Sequence, residues 1–180
     1  MNDPFAVWIT GPPDSGKSTL ARAIRDELAG EGLRVVILES DELRKALTPQ
    51  PRYDEPERHA FYASLLVLGQ LLLRQGFPVI FDATANLRRY RDAARSAIPR
   101  FAEVYVDCPL PVREARDPKG LYSRAKAGEV SSLPGAGAAY EPPLRPEFVV
   151  HSDQEPVAAA ARRVARALRA ESVGGGGRSR

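Results

Sequence analysis

A single α/β domain, a parallel sheet wrapped by helices, is the fold class this sequence predicts, and three observations predict it. Short apolar runs alternate with stretches of helical spacing from Phe5 to Asp107, and parallel strands need crossover connections of the kind helices supply. Residues 11–18 read GPPDSGKS, a glycine-bounded loop that follows the first apolar run and precedes the first helical stretch. With 180 residues, 43% of them hydrophobic, the chain can bury one core and is too short for two comfortable domains.

Each element has its own signal. Phe5 to Thr10 is apolar and ends at Gly11, which suits a buried strand feeding a tight turn. From Ser18, residues Leu20, Ala23, Ile24 and Leu28 recur at helical spacing until Gly30 and Gly32 stop the helix. "LRVVIL" predicts a second strand, and "SDELRKAL" a helix with Ser40 as N-cap, broken by Pro49 and Pro51. Phe61, Leu65, Leu68 and Leu72 mark a helix from about Glu55 to Gln75, and Gly76 separates it from a third strand, "FPVIFD". A helix near Leu87 to Ile98 and the strand "FAEVYVD" continue the alternation. "EFVV" predicts a last strand, and "PVAAAARRVARALRA" a terminal helix with Val157, Ala161, Val164 and Leu168 toward the sheet.

Between Asp107 and that last strand the pattern changes. Pro109 to Lys126 is proline-punctuated and cation-rich, and "SSLPGAGAAYEPPLRP" is a long irregular run of a kind that ordinary packing seldom requires. Residues from about 109 to 146 are therefore expected to form a mobile lid. The domain is expected to span residues 1–172, with a flexible glycine-rich tail over 173–180.

Composition narrows the function classes. A formal charge of +3 gives little support to general polyanion binding, so any basic site must be local. One cysteine, Cys108, excludes an intramolecular disulfide framework. The start of the chain lacks a basic segment followed by a long apolar run, and no run approaches the roughly 20 apolar residues of a membrane span. A cytoplasmic protein with no membrane partner is the expectation. His59 and His151 have no metal-ligand partners at convincing spacing.

The loop fits the pattern G-x-x-x-x-G-K-[ST] between a strand and a helix, the context that gives the motif its meaning. It predicts the P-loop NTPase three-layer fold. Gly11, Pro12, Pro13, Asp14, Ser15 and Gly16 form the loop, and Lys17, Ser18 and Thr19 open the helix whose N-terminus favours phosphate. Lys17 is expected to reach the outer phosphates of ATP, and the Ser18 hydroxyl to bind Mg²⁺. Asp14 is unusual in an anion pocket. It tolerates left-handed backbone better than most residues, and its carboxylate is expected to point outward or to pair with a lid cation such as Arg113 or Lys119. A role as catalytic base is the lesser alternative.

Asp41, after the second strand, lies where parallel sheets bind ligands, and it can accept a hydroxyl proton or support Mg²⁺. Arg44, one turn on, can hold an anionic acceptor. Asp82, closing the third strand, is the alternative metal-side carboxylate. Arg88, Arg89 and Arg91 can extend an anion site or stay solvated on their helix, the commoner state of helix charges, and the lid's Arg113, Arg116, Lys119, Arg124 and Lys126 can close cations over a transferring phosphoryl group while excluding water.

These motifs together resemble the adenylylsulfate kinase family over most of Val7 to Val150. "RDPKGLYSRAKAG" followed by "YEPP" is the most specific element, and "GPPDSGKSTLA", "ESDELRKAL", the arginine of "DEPERH" and "VYVDCPLPVREARD" occur in the matching order. The resemblance implies transfer of the ATP γ-phosphoryl group to the 3′-hydroxyl of adenosine 5′-phosphosulfate, with ATP and Mg²⁺ required. It implies Asp41 beside the attacking hydroxyl, Arg44 and Arg58 on the acceptor, Tyr53 against its adenine, Lys119 and Leu121 as lid contacts, and Arg116 toward the adenine of ATP. Lys17, Asp41 and Lys119 are the catalytic candidates. The family usually carries Phe-Ile-Ser-Pro where this chain has "DATAN", so Ala85 replaces a serine, and Phe61 replaces an asparagine. "SDELR" with "DATANLRRYR" also looks like polynucleotide kinases. The partner expected is a small nucleotide. A nucleic-acid or small-alcohol acceptor, a homodimer, and a non-catalytic nucleotide-binding protein stay open.

Overall fold

A computed structural model describes residues 4–129 and 132–174, with side chains to residue 170. Five strands, β1 (Ala6–Thr10), β2 (Val36–Glu39), β3 (Val79–Asp82), β4 (Phe101–Asp107) and β5 (Phe148–His151), form one all-parallel sheet in the order β2-β3-β1-β4-β5. The helices are α1 (Lys17–Gly30), α2 (Ser40–Leu47), α3 (Glu55–Arg74), α4 (Arg88–Ala97), α5 (Leu110–Arg116), α6 (Leu121–Lys126) and α7 (Val157–Gly174).

Strand β1 is buried along its whole length because it is central and covered on both faces. Its alternation divides the molecule: Val7 and Ile9 join a core with α1 and α7, while Ala6 and Trp8 join one with α3 and α4. Trp8 stacks on Phe81 at 4.7 Å and donates its indole N–H to the Ala83 carbonyl at 3.0 Å. Helix α3 comes so close there that a Cβ on Gly69 would lie 2.2 Å from the Phe81 ring. Its start is fixed by Asp54, whose carboxylate accepts the Glu57 N–H at 2.9 Å.

Several expectations are corrected. Glu39, not Ser40, is the N-cap of α2, and no side chain caps it; Ser40 is already helical. Strand β2 starts at Val36, and Leu33 and Val35 pack on the core from the preceding loop. Val157 is 40% exposed, and Ala160 and Ala165 take its place against the core with Ala161, Val164 and Leu168. Helix α7 runs to Gly174, past the expected boundary at 172, and positions 175–180 of the expected tail lie outside the described residues. Among the described residues no helix is long and apolar enough to cross a membrane.

The carboxyl ends of β1, β2 and β3 deliver the glycine loop, Asp41 and Asp82 to one edge of the sheet, the position at which such sheets hold ligands.

Candidate active site

The loop between β1 and α1 has the backbone its residues imply. A Cβ on Gly11 would lie 2.6 Å from the Val106 carbonyl oxygen, so only glycine fits. Gly16, at φ 101°, turns the chain into α1, and Asp14 has φ 59°, the left-handed conformation expected of it. Lys17 donates from Nζ to the Pro12 carbonyl at 2.9 Å. Burial lowers the pKa of this ammonium, against the opposing pull of Asp82, Asp41 and Asp14.

Asp82 is 3% exposed, and burial raises the pKa of its carboxylate while a hydrogen bond from Ser18 and the charge of Lys17 oppose the rise. Its Oδ2 is buried with no partner. A hydroxyl, a carboxylate with a free oxygen, and Asp41 across the cavity are hard oxygen donors, which suits Mg²⁺. No group of three or more His, Cys, Asp or Glu side chains that could hold a metal ion exists among the described residues. The donor set thus fits an ion that shares its coordination with phosphates rather than one held in a protein cage.

Asp41 sits in the first turn of α2 and accepts from Lys119 Nζ at 2.5 Å, across 78 residues of sequence. Both side chains are more than half exposed, at 65% and 59%. Such a pair contributes at most about 1 kcal/mol, so an arriving substrate can part it at small cost. Asp14 therefore lacks the partner proposed for it. Lys119 bonds Asp41, and Arg113 is buried, donating to the Cys108 carbonyl at 3.0 Å and the Tyr122 hydroxyl at 2.6 Å. Nor does Asp14 point away: it lines the loop cavity, and its Oδ2 is buried without a hydrogen bond.

Burial first, then the charge of Asp117, raises the Asp14 pKa. A carboxyl whose folded pKa lies above its ordinary 3.8 holds its proton longer when folded than when unfolded, so its ionisation costs stability. That cost begins near pH 4 and is complete once pH has risen past the folded pKa. Asp14→Asn is therefore expected to be the more stable protein at pH 7 and to lose its advantage toward pH 4. Denaturant midpoints across that range measure it, and a constant difference would refute the burial argument.

On the other side of Asp41 lies a second cavity. Tyr53, at φ 57°, has two guanidinium groups beside its ring, Arg44 at 5.2 Å and Arg58 at 5.5 Å from its centroid. Arg44 also lies 3.8 Å over Phe61 and pairs with Glu57 at 2.9 Å, and Arg58 donates to the carbonyls of Tyr53 and Ser132, both at 2.8 Å. Glu57 was missed from sequence. It holds Arg44 and accepts the N–H groups of Arg52 and Tyr53, and its signal was the D-x-x-E spacing from Asp54.

The loop cavity encloses about 530 Å³ and the second about 680 Å³, and Pro13, Ser40, Asp41, Thr84, Lys119 and Leu121 line both. Arg116 is at the far end of the first, donating to the Ser152 carbonyl at 2.9 Å and approaching the Asp14 and Ser15 carbonyls at 3.4 Å. Tyr122, also missed, donates to the Pro13 carbonyl at 2.9 Å and ties α6 to the loop. The arginines expected to widen the anion site do not. None of the three lines either cavity: Arg88 donates its backbone N–H to Glu141 and its guanidinium to the Pro142 carbonyl at 3.2 Å, Arg89 pairs with Glu55 at 2.7 Å, and Arg91 is 1% exposed. Ala85, at φ 41°, donates its N–H to the Tyr62 hydroxyl at 3.0 Å.

A family model described as adenylylsulphate kinase matches residues 3–151. Relatives include a probable adenylyl-sulfate kinase of Archaeoglobus fulgidus, 42% identical over 83% of this chain and 97% of that one. Another is an adenylyl-sulfate kinase of Microcystis aeruginosa, 38% identical over 83% and 82% respectively. Among solved structures, the Mycobacterium tuberculosis APS kinase in complex with AMPPNP and APS superposes with a TM-score of 0.87 at 30% identity, covering 94% of this chain and 99% of that one.

Proposed function

The chain belongs to the adenylylsulphate kinase family, and from that premise we propose that it transfers the γ-phosphoryl group of ATP to the 3′-hydroxyl of adenosine 5′-phosphosulfate (APS), giving 3′-phosphoadenosine 5′-phosphosulfate. The observation that carries the reading is the meeting of two cavities at Asp41 and Lys119. One has a phosphate loop, the other two arginines beside an aromatic ring, which is what joining a nucleoside triphosphate to an anionic nucleotide acceptor requires.

Each residue then has a task. The loop backbone and the start of α1 hold the β- and γ-phosphates, and Lys17 exchanges the Pro12 carbonyl for phosphate oxygen. Ser18 and Asp82 would hold Mg²⁺, which supplies charge neutralisation across the phosphate oxygens when bound. Asp41, freed from Lys119, accepts the proton of the 3′-hydroxyl at its carboxylate. Lys119 Nζ, released by the same event, donates to the transferring phosphoryl oxygens. Arg44 and Arg58 hold the phosphosulfate side of the acceptor, Tyr53 stacks on its adenine, and residues 109–146 close over both. Asp14 opposes the triphosphate through like charge, so Asp14→Asn should also bind ATP more tightly.

A polynucleotide acceptor needs a row of cations along the site, and Arg88, Arg89 and Arg91 line neither cavity. The test is APS-dependent ADP release by the wild type and by Arg58→Ala. Losing a buried charge-assisted contact should raise the KM for APS roughly 30-fold, about 2 kcal/mol. Release that is independent of APS, or unaffected by this substitution, would count against the acceptor assignment.

A further inference from the structure

Thr10, the last residue of β1, has a buried hydroxyl at the foot of the phosphate loop, and it is a junction of three elements. It donates to the Thr84 carbonyl at 2.6 Å, it accepts from Arg91 Nη1 at 3.0 Å, and the Tyr140 hydroxyl lies 3.0 Å away. A hydroxyl has one proton and two lone pairs. Because the proton goes to Thr84, Tyr140 must be the donor, and with Arg91 it fills both lone pairs. Thr84 belongs to the wall after β3, Arg91 to α4, and Tyr140 to the returning arm of the lid.

Arg91 holds that arm a second time. Its Nη2 donates to the Glu141 carbonyl at 2.5 Å, and its guanidinium lies 5.8 Å from the centre of the Tyr140 ring. The third edge faces Glu103 of β4, Nε to Oε1 at 3.3 Å. Glu103 in turn pairs with Arg95 at 3.4 Å, and Arg95 with Glu147 at 2.6 Å. Arg91 Nε and Glu103 Oε1 make no hydrogen bond, so Glu103 balances the charge of this buried guanidinium, while the bonds to Thr10 and Glu141 set its orientation. The rest of the arm is fastened to the same wall. Asn86 donates to the Ala139 carbonyl at 3.0 Å, and the Glu141 N–H donates to the Asn86 carbonyl at 2.7 Å.

We infer that Arg91 is a positioning residue: it clamps the lid's returning arm, at Tyr140 and Glu141, to Thr10, so that the lid closes in register with the phosphate loop. The inference deepens the proposed transfer and rests on it. Arg91 lines neither cavity. Its effect passes through Thr10 to Gly11 on one side and through Tyr140 to the cation-bearing lid on the other, and placement errors of about 1 Å at such points can cost up to 10²-fold in rate.

The experiment uses the full chain with Arg91→Lys, which keeps a charge for Glu103 but loses the forked contacts. Tyr140→Phe serves as the milder variant, keeping the ring and losing only the hydroxyl. Amide hydrogen exchange is expected to quicken in residues 139–146 and in residues 11–17 together, in either variant. Quickening of the lid arm alone, or no change, would overturn the clamp. In transfer assays corrected for folded protein, kcat is expected to fall about tenfold in Tyr140→Phe with the KM for ATP within about twofold, and the share of ATP lost to water is expected to rise. A lower melting temperature with unchanged kcat and unchanged coupling would make the contacts merely structural and also overturn the inference. If the wild type makes no phosphorylated product from APS, the proposed function fails, and the exchange measurement alone decides the clamp.

Discussion

Lys17→Ala is expected to lose transfer by roughly 10³-fold or more and to bind ATP more weakly, because the ammonium is the cation that the loop supplies to the outer phosphates. In the resting protein that charge is held in place by an interaction it can give up, the Pro12 carbonyl at 2.9 Å. It is also held in a place where burial disfavours it, its pKa lowered by desolvation and sustained first by Asp82. A triphosphate entering the cavity adds its charge to that of Asp82, Asp41 and Asp14 in offsetting the desolvation of this ammonium, so binding and catalysis draw on the same group. Removing it leaves Asp82 buried without its main cation, which raises the Asp82 pKa further and weakens the Ser18 and Asp82 side of the metal site. Circular dichroism and a denaturant midpoint distinguish this loss from unfolding. A folded variant with wild-type turnover would mean that ATP does not sit in the loop.

Asp41→Asn is expected to fold normally, to keep most ATP binding, and to lose transfer by roughly 10²- to 10⁴-fold, the range for a positioned acid or base. Stability should change little, since the pair broken with Lys119 is exposed on both sides. The isosteric amide keeps the shape at the cavity junction and removes the negative charge and, with it, the ability to take a proton. Asp82→Asn is the informative contrast. Its carboxylate lies beside Ser18 and Lys17 and does not line the acceptor cavity, so its loss should appear mainly as a weaker dependence on Mg²⁺. Single-turnover rates at saturating ATP and Mg²⁺ separate the two. Should Asp82→Asn reproduce the full loss under those conditions while Asp41→Asn turns over normally, the roles of the carboxylates are reversed.

The elements legible in the sequence were those whose cause is local. Helical spacing placed α1 and α3, and the loop motif named Lys17 and Ser18 because its meaning depends only on the strand before it and the helix after it. Pairings were harder, because they depend on which distant side chain arrives. Asp14 could be given its left-handed backbone from its identity, but not its solitude, since the cations of the lid had two carboxylates to choose between and Lys119 took Asp41. Arg91 read as one of three solvated or anion-binding arginines on a helix. The missed signal was on another element: Glu103 interrupts the apolar strand "FAEVYVD", and a carboxylate inside a central strand requires a cation brought to it. Glu57 and Tyr122 lay inside segments already singled out; the D-x-x-E spacing marked Glu57 only as a helix-start residue and not as the partner of Arg44, and Tyr122 works on a backbone carbonyl that no motif spells out.

The measurement that bears most directly on the proposed activity is the fate of a γ-phosphoryl label. Purified protein is supplied with labelled ATP, Mg²⁺ and either APS or a 5′-hydroxyl oligonucleotide, at low and at moderate salt. Label is expected at the 3′-position of APS with matching ADP release. The yield should respond only modestly to salt, because a compact nucleotide in a closed pocket releases few counterions. Efficient labelling of the oligonucleotide, steeply weakened by salt and with no 3′-phosphorylated product from APS, would contradict the assignment.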